Sequence, residues 1–166
     1  MKKNILWTIL GIIMSTHVHA QTTAAIVPHT PNYAKDPGFS TTDYKAYIYN
    51  RYKNNTTSKL PFRILFPKNY NPAESKVYPL FVMLHGRGEA GNDNNFHLKW
   101  GGKMHLDARN RTTNPIDAFV VFPQEPFGQW TNAPYYNTTL GGGQVTTHLE
   151  MTWELVDSLM NLYKID

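Results

Sequence analysis

Two short runs of consecutive apolar residues dominate the pattern of hydrophobic and polar positions. The runs LFVML (residues 80–84) and AFVVF (residues 118–122) end at His85-Gly86 and at Pro123. Strands that are apolar on both faces are typical of a parallel sheet covered by helices on both sides. The 33 residues between the runs fit a crossover connection, with a helix predicted within residues 96–108. The pattern therefore predicts an α/β fold with a mostly parallel sheet flanked by helices.

Weaker patterns predict two strands before these runs. Residues 43–52 alternate partly between apolar and polar, and residues 60–66 form a second candidate strand. The polar residues 54–58 are predicted to form the turn between them. Because proline cannot donate a hydrogen bond within a sheet, Pro61 favours an edge position for the second strand. The first strand is also predicted at an edge.

One amphipathic helix is predicted at residues 147–163. Its apolar stripe has spacings of four, three, four and three residues, formed by Leu149, Trp153, Val156, Met160 and Tyr163. Thr146 or Thr147 can cap the helix, and Glu150 completes a capping box with Thr147. In a parallel sheet, a helix of this kind is followed by another strand. We therefore expect these residues to form the N-terminal part of a larger domain.

The N-terminus has the features of an export signal. Lys2 and Lys3 precede an apolar run at residues 5–14, and the small Ala20 fits a cleavage site. Because this run is too short to span about 30 Å of hydrocarbon, a permanent membrane anchor is the weaker alternative. We expect a signal peptide at residues 1–20, a linker or N-terminal arm at 21–40, and a bacterial protein that is periplasmic or secreted.

Composition and charge exclude several classes of function. The chain of 166 residues has 16 Lys and Arg against 12 Asp and Glu, a net charge of +4, without basic clusters. We therefore expect no nucleic-acid partner. The absence of cysteine excludes disulfides, thiolate zinc sites and a cysteine nucleophile. The seven histidines have no zinc-ligand spacing, so neither a metal nor another cofactor is expected.

Several segments resemble the opening of secreted serine esterases with the α/β-hydrolase fold. They are LPFRILFP (60–67), YPLFVMLHGRGE (78–89), GNDN (91–94), Gly101-Gly102, FVVFPQ (119–124) and Trp130. The branch that they resemble includes polyhydroxybutyrate depolymerase-like, feruloyl esterase-like and predicted-peptidase proteins. The likeness covers residues 60–166, and it implies that residues 41–166 are the N-terminal part of an α/β-hydrolase domain.

The resemblance implies an oxyanion-hole role for the loop after the first apolar run. In this fold, one backbone N–H that stabilises the developing oxyanion comes from this loop. Gly86, Arg87 and Gly88 match that loop, with the N–H of Arg87 as the donor. We expect Gly86 to turn the chain sharply and Gly88 to leave room for the substrate carbonyl. A tight turn without chemistry is the structural alternative.

Five further residues are candidates for supporting roles. His85 precedes the position at which this fold places its catalytic base, so we expect it to orient the loop by hydrogen bonding. Asp93 is better explained as an Asx-turn residue than as a catalytic acid. Trp130, Tyr135 and Tyr136 are candidate substrate contacts that could stack on a sugar ring or a feruloyl group. A loop packed on its own aromatic rings explains these three residues equally well.

The sequence departs from the family pattern at the nucleophile. The family places a serine in a G-x-S-x-G turn between a strand and a helix. The serines here, at positions 15, 40, 58, 75 and 158, do not lie in such a turn. We therefore expect no catalytic triad residue in this chain, with the serine, the acid and the histidine beyond residue 166.

The resemblance thus implies an exported serine hydrolase that forms an acyl-enzyme. The expected substrate is a carboxylic ester, linked to a polysaccharide or to another group, and the 166-residue chain alone is expected to be inactive. A non-catalytic carbohydrate-binding module and a peptidase of the same fold are the alternatives.

Overall fold

The computed structural model describes residues 25–53, 56–131 and 145–166. The strands are β1 (Ala25–Pro28), β2 (Tyr44–Lys53), β3 (Thr56–Leu65), β4 (Leu80–Val82) and β5 (Phe119–Pro123). The helices are α1 (Gly102–Asn110) and α2 (Thr147–Leu162), and short 3-10 turns span Arg87–Glu89 and Phe96–Leu98. The predicted signal peptide lies outside the described residues.

The five strands form one mixed sheet in the order β1-β2-β3-β5-β4. β4 and β5 pair in parallel, as predicted from the two apolar runs. The other three pairings are antiparallel, so the expectation of a mostly parallel sheet is wrong for this part of the chain. The physical reason is connection length: β2 and β3 are separated by only two residues, whereas a parallel pair needs a crossover.

The predicted N-terminal arm contains the edge strand β1. Ile26 lies opposite Tyr49 of β2, and the N–H of His29 donates to the carbonyl of Ala46 just after β1 ends. The sequence pattern predicted no strand there. The pairing with β2 attaches the arm to the sheet.

Both strands predicted at edges lie inside the sheet. β2 pairs with β1 and β3, and β3 pairs with β2 and β5. Pro61 is tolerated because the β3–β5 ladder ends beside it, with Phe62 opposite Pro123. The carbonyl of Pro61 still accepts a hydrogen bond from the N–H of Gln124 at 2.8 Å. The missing N–H therefore falls at the end of the ladder, where little pairing is lost.

After α2 the chain returns to the sheet beside β4. Ile165 forms a parallel bridge with Tyr78, which lies just before β4. The N–H of Tyr78 donates to the carbonyl of Lys164 at 2.9 Å, and the N–H of Asp166 donates to the carbonyl of Tyr78 at 3.0 Å. The pairing direction is the one predicted for a strand after the helix.

The two faces of the sheet have separate hydrophobic clusters. On one face α2 packs against the sheet, and the buried residues are Tyr49, Leu60, Phe62, Ile64, Tyr78, Phe119, Val121, Met151, Leu155 and Leu159. On the other face lie Tyr44, Leu65, Leu98, Val120 and Phe122, with Phe39, Met83 and Leu106 packed against them. The alternation along β3 and β5 explains why these strands are apolar on both sides.

α2 buries a different face from the predicted one. Met151, Leu155 and Leu159 are buried in the core, whereas Trp153 is 62% exposed and Met160 is 47% exposed. Thr146 caps the helix, with its Oγ1 accepting from the N–H of Leu149, so the predicted capping box of Thr147 and Glu150 is not formed. Both apolar stripes have helical spacing, and only packing against the sheet distinguishes them.

The crossover helix is shorter than predicted. The interval 96–108 contains the 3-10 turn Phe96–Leu98 and most of α1, which extends to Asn110. Within the described ranges, no helix combines the length and apolar character required to cross a membrane.

Candidate active site

The loop after β4 presents free backbone donors. Gly86 is extended, with φ −79° and ψ 173°, and Arg87 begins the 3-10 turn. The first N–H groups of a helical turn have no partner within it. Among the described residues, the N–H groups of Arg87 and Gly88 donate to no acceptor, and both residues are exposed. These N–H groups are therefore available to an acceptor from outside.

The conformation of this loop differs from the predicted sharp turn at Gly86. Its φ of −79° is one that any residue adopts, although an added Cβ would lie 3.0 Å from Oε2 of Glu89. A Cβ on Gly88 would meet no atom within 4 Å. The backbone therefore does not require glycine at these positions. The oxyanion role of Gly86, Arg87 and Gly88 remains a prediction.

His85 links the loop after β4 to the loop after β5. Its Nε2 accepts from the N–H of Glu125 at 2.9 Å, which places the proton of the neutral ring on Nδ1. Nδ1 lies 2.7 Å from the carbonyl oxygen of Gly86 and donates to it. Because the side chain is buried, both hydrogen bonds are sheltered from water. The ring therefore connects Gly86 directly to Glu125.

Gly128 forms a second contact between the same two loops. Its φ of +74° lies in the region that favours glycine. An added Cβ would lie 2.8 Å from Cγ, 3.0 Å from the carbonyl oxygen and 3.2 Å from Cα of Arg87. The loop after β5 therefore packs directly on the backbone of the candidate donor residue. No pattern in the sequence marks Gly128, since its contact joins residues 41 positions apart.

Trp130 also supports the loop after β4. Its Nε1 donates to the carbonyl of His85 at 3.0 Å, and the two rings lie 5.1 Å apart. The indole N–H is thus used within the protein, and a substrate contact would involve only the partly exposed ring. Tyr135 and Tyr136, the other two candidate contacts, lie outside the described residues.

Asp93 organises the segment that follows the 3-10 turn. Its Oδ1 accepts from the N–H groups of Asn95 at 2.8 Å and Phe96 at 2.6 Å, which is an Asx-type arrangement. Its Oδ2 accepts from Nε2 of Gln124 at 3.2 Å. In this structure the carboxylate holds backbone groups. A catalytic role for Asp93 has no geometric support among these contacts.

Gln124 and Glu89 are two buried polar residues that were not among the predicted site residues. Gln124 donates from Nε2 to the carbonyl of Glu89 at 3.2 Å, and its Oε1 accepts from the N–H of Asn94 at 2.6 Å. The carboxylate of Glu89 accepts from Nε1 of Trp100 at 2.8 Å. A polar residue directly after an apolar strand, as in Phe122-Pro123-Gln124, is the signal that could have identified Gln124.

His97 is a buried, neutral side chain close to His85 and Asp93. Burial lowers the pKa of His97 to about 3, and the nearby imidazole of His85 acts in the same direction. Its Nε2 lies 2.9 Å from the carbonyl oxygen of Phe122 and donates to it. His97 therefore has a structural role and is unsuited to accept a proton at neutral pH.

The described residues contain neither a serine in a nucleophile turn nor a metal cluster. Ser158 lies on α2, and its Oγ donates to the carbonyl of Glu154 at 2.8 Å. In the described ranges, no group of three or more His, Asp or Glu side chains could hold a metal ion. The chemistry that this part of the chain offers is hydrogen-bond donation from backbone N–H groups.

Comparisons with known proteins agree with this architecture. No family model matches the chain. A probable dipeptidyl-peptidase 5 from Aspergillus terreus is 28% identical over 120 residues, which are 69% of this chain and 14% of that protein. The crystal structure of a thermostable esterase is 26% identical with a TM-score of 0.58, over 75% of this chain and 32% of its own.

A ferulic acid esterase from Anaeromyces mucronatus is also similar, with 17% identity and a TM-score of 0.36. That match covers 85% of this chain and 50% of the esterase. This chain spans about a third of the thermostable esterase and about a seventh of the peptidase.

The mixed sheet, the parallel pair β4–β5 and the likeness to the thermostable esterase define the fold. The fold is the N-terminal portion of an α/β-hydrolase fold. The two proteins reported above to which the chain is similar are an esterase and a probable dipeptidyl-peptidase, so the likeness is to the branch of this fold that contains esterases and peptidases.

Proposed function

We propose that this chain provides the oxyanion loop of an exported serine hydrolase that cleaves carboxylic esters. The proposal rests on one observation: in the loop after β4, the N–H of Arg87 donates to no acceptor among the described residues, and Arg87 is an exposed residue. Its loop is held by His85 and Trp130, so the donor is oriented before substrate arrives. Preoriented donors stabilise charge that develops on a carbonyl oxygen.

In the proposed reaction, a serine hydroxyl from outside these 166 residues attacks the ester carbonyl carbon, and a histidine accepts its proton. The carbonyl oxygen becomes an oxyanion and accepts a hydrogen bond from the N–H of Arg87. The carbon–alkoxy bond then breaks, and the histidine protonates the departing alcohol. Water hydrolyses the acyl-serine by the same steps, which regenerates the enzyme.

Arg87→Pro tests the donor role because it deletes the N–H at the first position of the turn, and Arg87→Ala controls for the loss of the arginine side chain. Proline is tolerated at that position, and the extended backbone of Gly86 is the conformation that a following proline requires. In the gene product that carries the nucleophile, we expect kcat for an aryl ester to fall by about 100–1,000-fold. Arg87→Ala keeps the N–H and should retain activity. Equal activities for the two variants would reject the donor role.

The source of the nucleophile can be tested at the DNA level. We expect the reading frame after codon 166 to continue into a strand and a G-x-S-x-G turn. The isolated 166-residue chain should give no saturable hydrolysis of p-nitrophenyl acetate. A stop codon directly after Asp166 would contradict the proposal and favour a non-catalytic carbohydrate-binding module.

A peptidase of the same fold is the second candidate, supported by the likeness to a probable dipeptidyl-peptidase. The oxyanion loop serves esters and amides alike, so its geometry does not separate them. Matched p-nitrophenyl ester and p-nitroanilide substrates distinguish an esterase from a peptidase. We expect a higher kcat/KM for the ester than its greater intrinsic reactivity alone would give.

Export is part of the proposal. The lysines and the apolar run of residues 2–14 support secretion, with cleavage after Ala20. N-terminal sequencing of the protein from a bacterial periplasm or medium should begin at Gln21. Recovery with Met1 intact in the membrane fraction would instead indicate an anchor.

A further inference from the structure

A buried amide lies where three segments of the chain meet, directly after β5. Gln124 is fully buried, and its N–H donates to the carbonyl of Pro61 in β3 at 2.8 Å. The side-chain Oε1 accepts from the N–H of Asn94 at 2.6 Å. The side-chain Nε2 donates to the carbonyl of Glu89 and to Oδ2 of Asp93, each at 3.2 Å. Both donors of the amide are therefore used, and its oxygen faces a donor.

These partners allow only one orientation of the amide. A flipped side chain would place Nε2 of Gln124 against the N–H of Asn94 and Oε1 against two acceptor oxygens. An added Cβ on Gly91 would lie 3.4 Å from Nε2, so the backbone of that residue also confines the group. Because a buried polar group without a partner is costly, the side chain of Gln124 is held in this position.

The carbonyl that receives this hydrogen bond belongs to the last residue of the 3-10 turn Arg87–Glu89. The N–H of Glu89 donates to the carbonyl of Gly86 at 3.2 Å and closes the turn. His85 donates to that same carbonyl of Gly86, and Gln124 donates to the carbonyl of Glu89. The turn is thus held at both ends, and the N–H of Arg87 lies between the two held carbonyls.

The other side of the amide is anchored to the antiparallel part of the sheet. The carbonyl of Asn94 accepts from Nη1 of Arg63 in β3 at 3.3 Å, and its Nδ2 donates to the carbonyl of Tyr47 in β2 at 3.0 Å. The carbonyl of Asp93 accepts from the N–H of Asn32 at 2.8 Å. Since Arg63 and Asn94 are buried, water does not compete for their hydrogen bonds. The amide therefore connects the sheet to a turn of only three residues.

We propose that Gln124 is a positioning residue, which holds the carbonyl of Glu89 so that the N–H of Arg87 meets the developing oxyanion. The inference rests on the proposed function, because it explains how the donor of that same site is kept in place. An oxyanion donor is effective within about 2.7–3.1 Å of the oxygen, and a misplacement of about 1 Å costs about 100-fold in rate. Since this hydrogen bond forms in the transition state, loss of the amide contact should lower kcat and leave KM nearly unchanged.

Gln124→Glu in the gene product that carries the nucleophile tests this role without a change of side-chain shape. The introduced carboxylate cannot donate to the carbonyl of Glu89, and it lies beside the carboxylate of Asp93. Burial and this neighbouring charge raise the pKa of the introduced carboxyl. Above that pKa, we expect kcat for p-nitrophenyl acetate to fall about 10–100-fold, with KM within about twofold of the parent value. On acidification the protonated carboxyl donates again, so the ratio of variant to parent kcat should rise.

Asn95→Asp is the matched control, because it makes the same exchange of amide for acid at another buried position. Asn95 is 2% exposed, and its Nδ2 donates to the carbonyl of Lys35 while its Oδ1 accepts from Oγ1 of Thr41. Neither partner belongs to the turn, so this variant should lose stability and keep the kcat of the parent. Equal losses of kcat in the two variants, or full activity of Gln124→Glu at alkaline pH, would overturn the positioning role.

An NMR measurement on the 166-residue chain separates this inference from the proposed function, because it needs no catalysis. Gln124→Met removes the amide and keeps the length of the side chain. We expect this variant to have lower ¹⁵N order parameters and shifted resonances for the N–H groups of Arg87 and Gly88, compared with the parent chain and Asn95→Asp. Unchanged resonances and order parameters would reject the positioning role even in an active esterase. The expected changes, in a protein whose full gene product hydrolyses no ester, would reject the ester hydrolase and support the contact of Gln124 with the turn.

Discussion

At the scale of single residues, the position of Arg87 depends on side chains that are distant in sequence. His85 holds Gly86 through Nδ1, and the N–H of Glu125 fixes the other nitrogen of the same ring. Gly128 allows the loop after β5 to approach the backbone of Arg87. Because the N–H of Arg87 donates to no acceptor among the described residues, its direction is set by its 3-10 turn and by these neighbours.

Gly128→Ala should therefore destabilise the protein and displace Arg87. A side chain at φ +74° costs about 1–2 kcal/mol, and contact with the Arg87 backbone adds to this cost. Urea unfolding measures the total loss of unfolding free energy from the backbone strain and the contact with Arg87. Gly38→Ala is the matched control, since Gly38 has φ +90° and no atom within 4 Å of an added Cβ. Equal losses in the two variants would show that the contact with Arg87 contributes nothing.

At the scale of elements, the orientation of α2 is set by its partners. Arg51 of β2 is buried and pairs with Glu150 at 3.2 Å and Glu154 at 3.0 Å. These carboxylates flank the buried face, which contains Leu155 and lies over the sheet. Rotating the helix to bury Trp153 would separate these ion pairs and leave the buried arginine uncompensated.

Two substitutions on α2 measure which stripe is buried. Leu155→Ala removes a fully buried side chain and should cost about 2–5 kcal/mol of unfolding free energy. Trp153→Ala removes a mostly exposed one and should change stability by less than about 0.5 kcal/mol. Thermal or urea unfolding of the two variants gives the comparison. A larger loss of unfolding free energy for Trp153→Ala would indicate that the stripe predicted from the sequence is the buried one.

At the scale of the whole molecule, the sheet topology brings the functional loops together. β4 and β5 are parallel neighbours, so the loops after them emerge at the same edge of the sheet. One loop carries Arg87, and the other carries Gln124 and Glu125. The antiparallel strands β1 to β3 extend the sheet on the other side and provide core for both faces.

Global stability should also depend on pH through His97. Its pKa is about 3 when folded and 6.5 when unfolded, so between these values only the unfolded chain binds a proton. Stability should fall on acidification from about pH 6.5, by up to about 1.4 kcal/mol per pH unit. His97→Gln should reduce this slope, while its amide can still donate to the carbonyl of Phe122. Urea unfolding at pH 7, 6 and 5 provides the test.

Comparing the pH dependence of unfolding in the parent chain and in His97→Gln distinguishes the contribution of His97 from that of the other histidines. Burial also lowers the pKa values of His29, His105 and His148, so they act in the same direction in both proteins. Only the difference between the two slopes belongs to His97. Parallel slopes for the parent chain and His97→Gln would contradict the assignment.

The sequence by itself determined the features that are encoded over a few neighbouring residues. The runs at residues 80–84 and 118–122 predicted the parallel pair, because strands that are apolar on both faces are typical of parallel sheets. The HGRG segment identified the loop after β4, and periodicity located α2. The fold class followed from these local signals and from the resemblance that they carry.

The tertiary structure decided everything that depends on contacts between distant segments. Pro61 indicated an edge strand, yet the ladder ends beside it. The buried stripe of α2 was decided by the sheet and by Arg51, since two stripes with helical spacing compete in that segment. The contacts of Gly128 with Arg87 and of Gln124 with Glu89 exist only after β4 and β5 pair. A pattern along the chain specifies periodicity and local turns, whereas the partner of each face is specified only by packing.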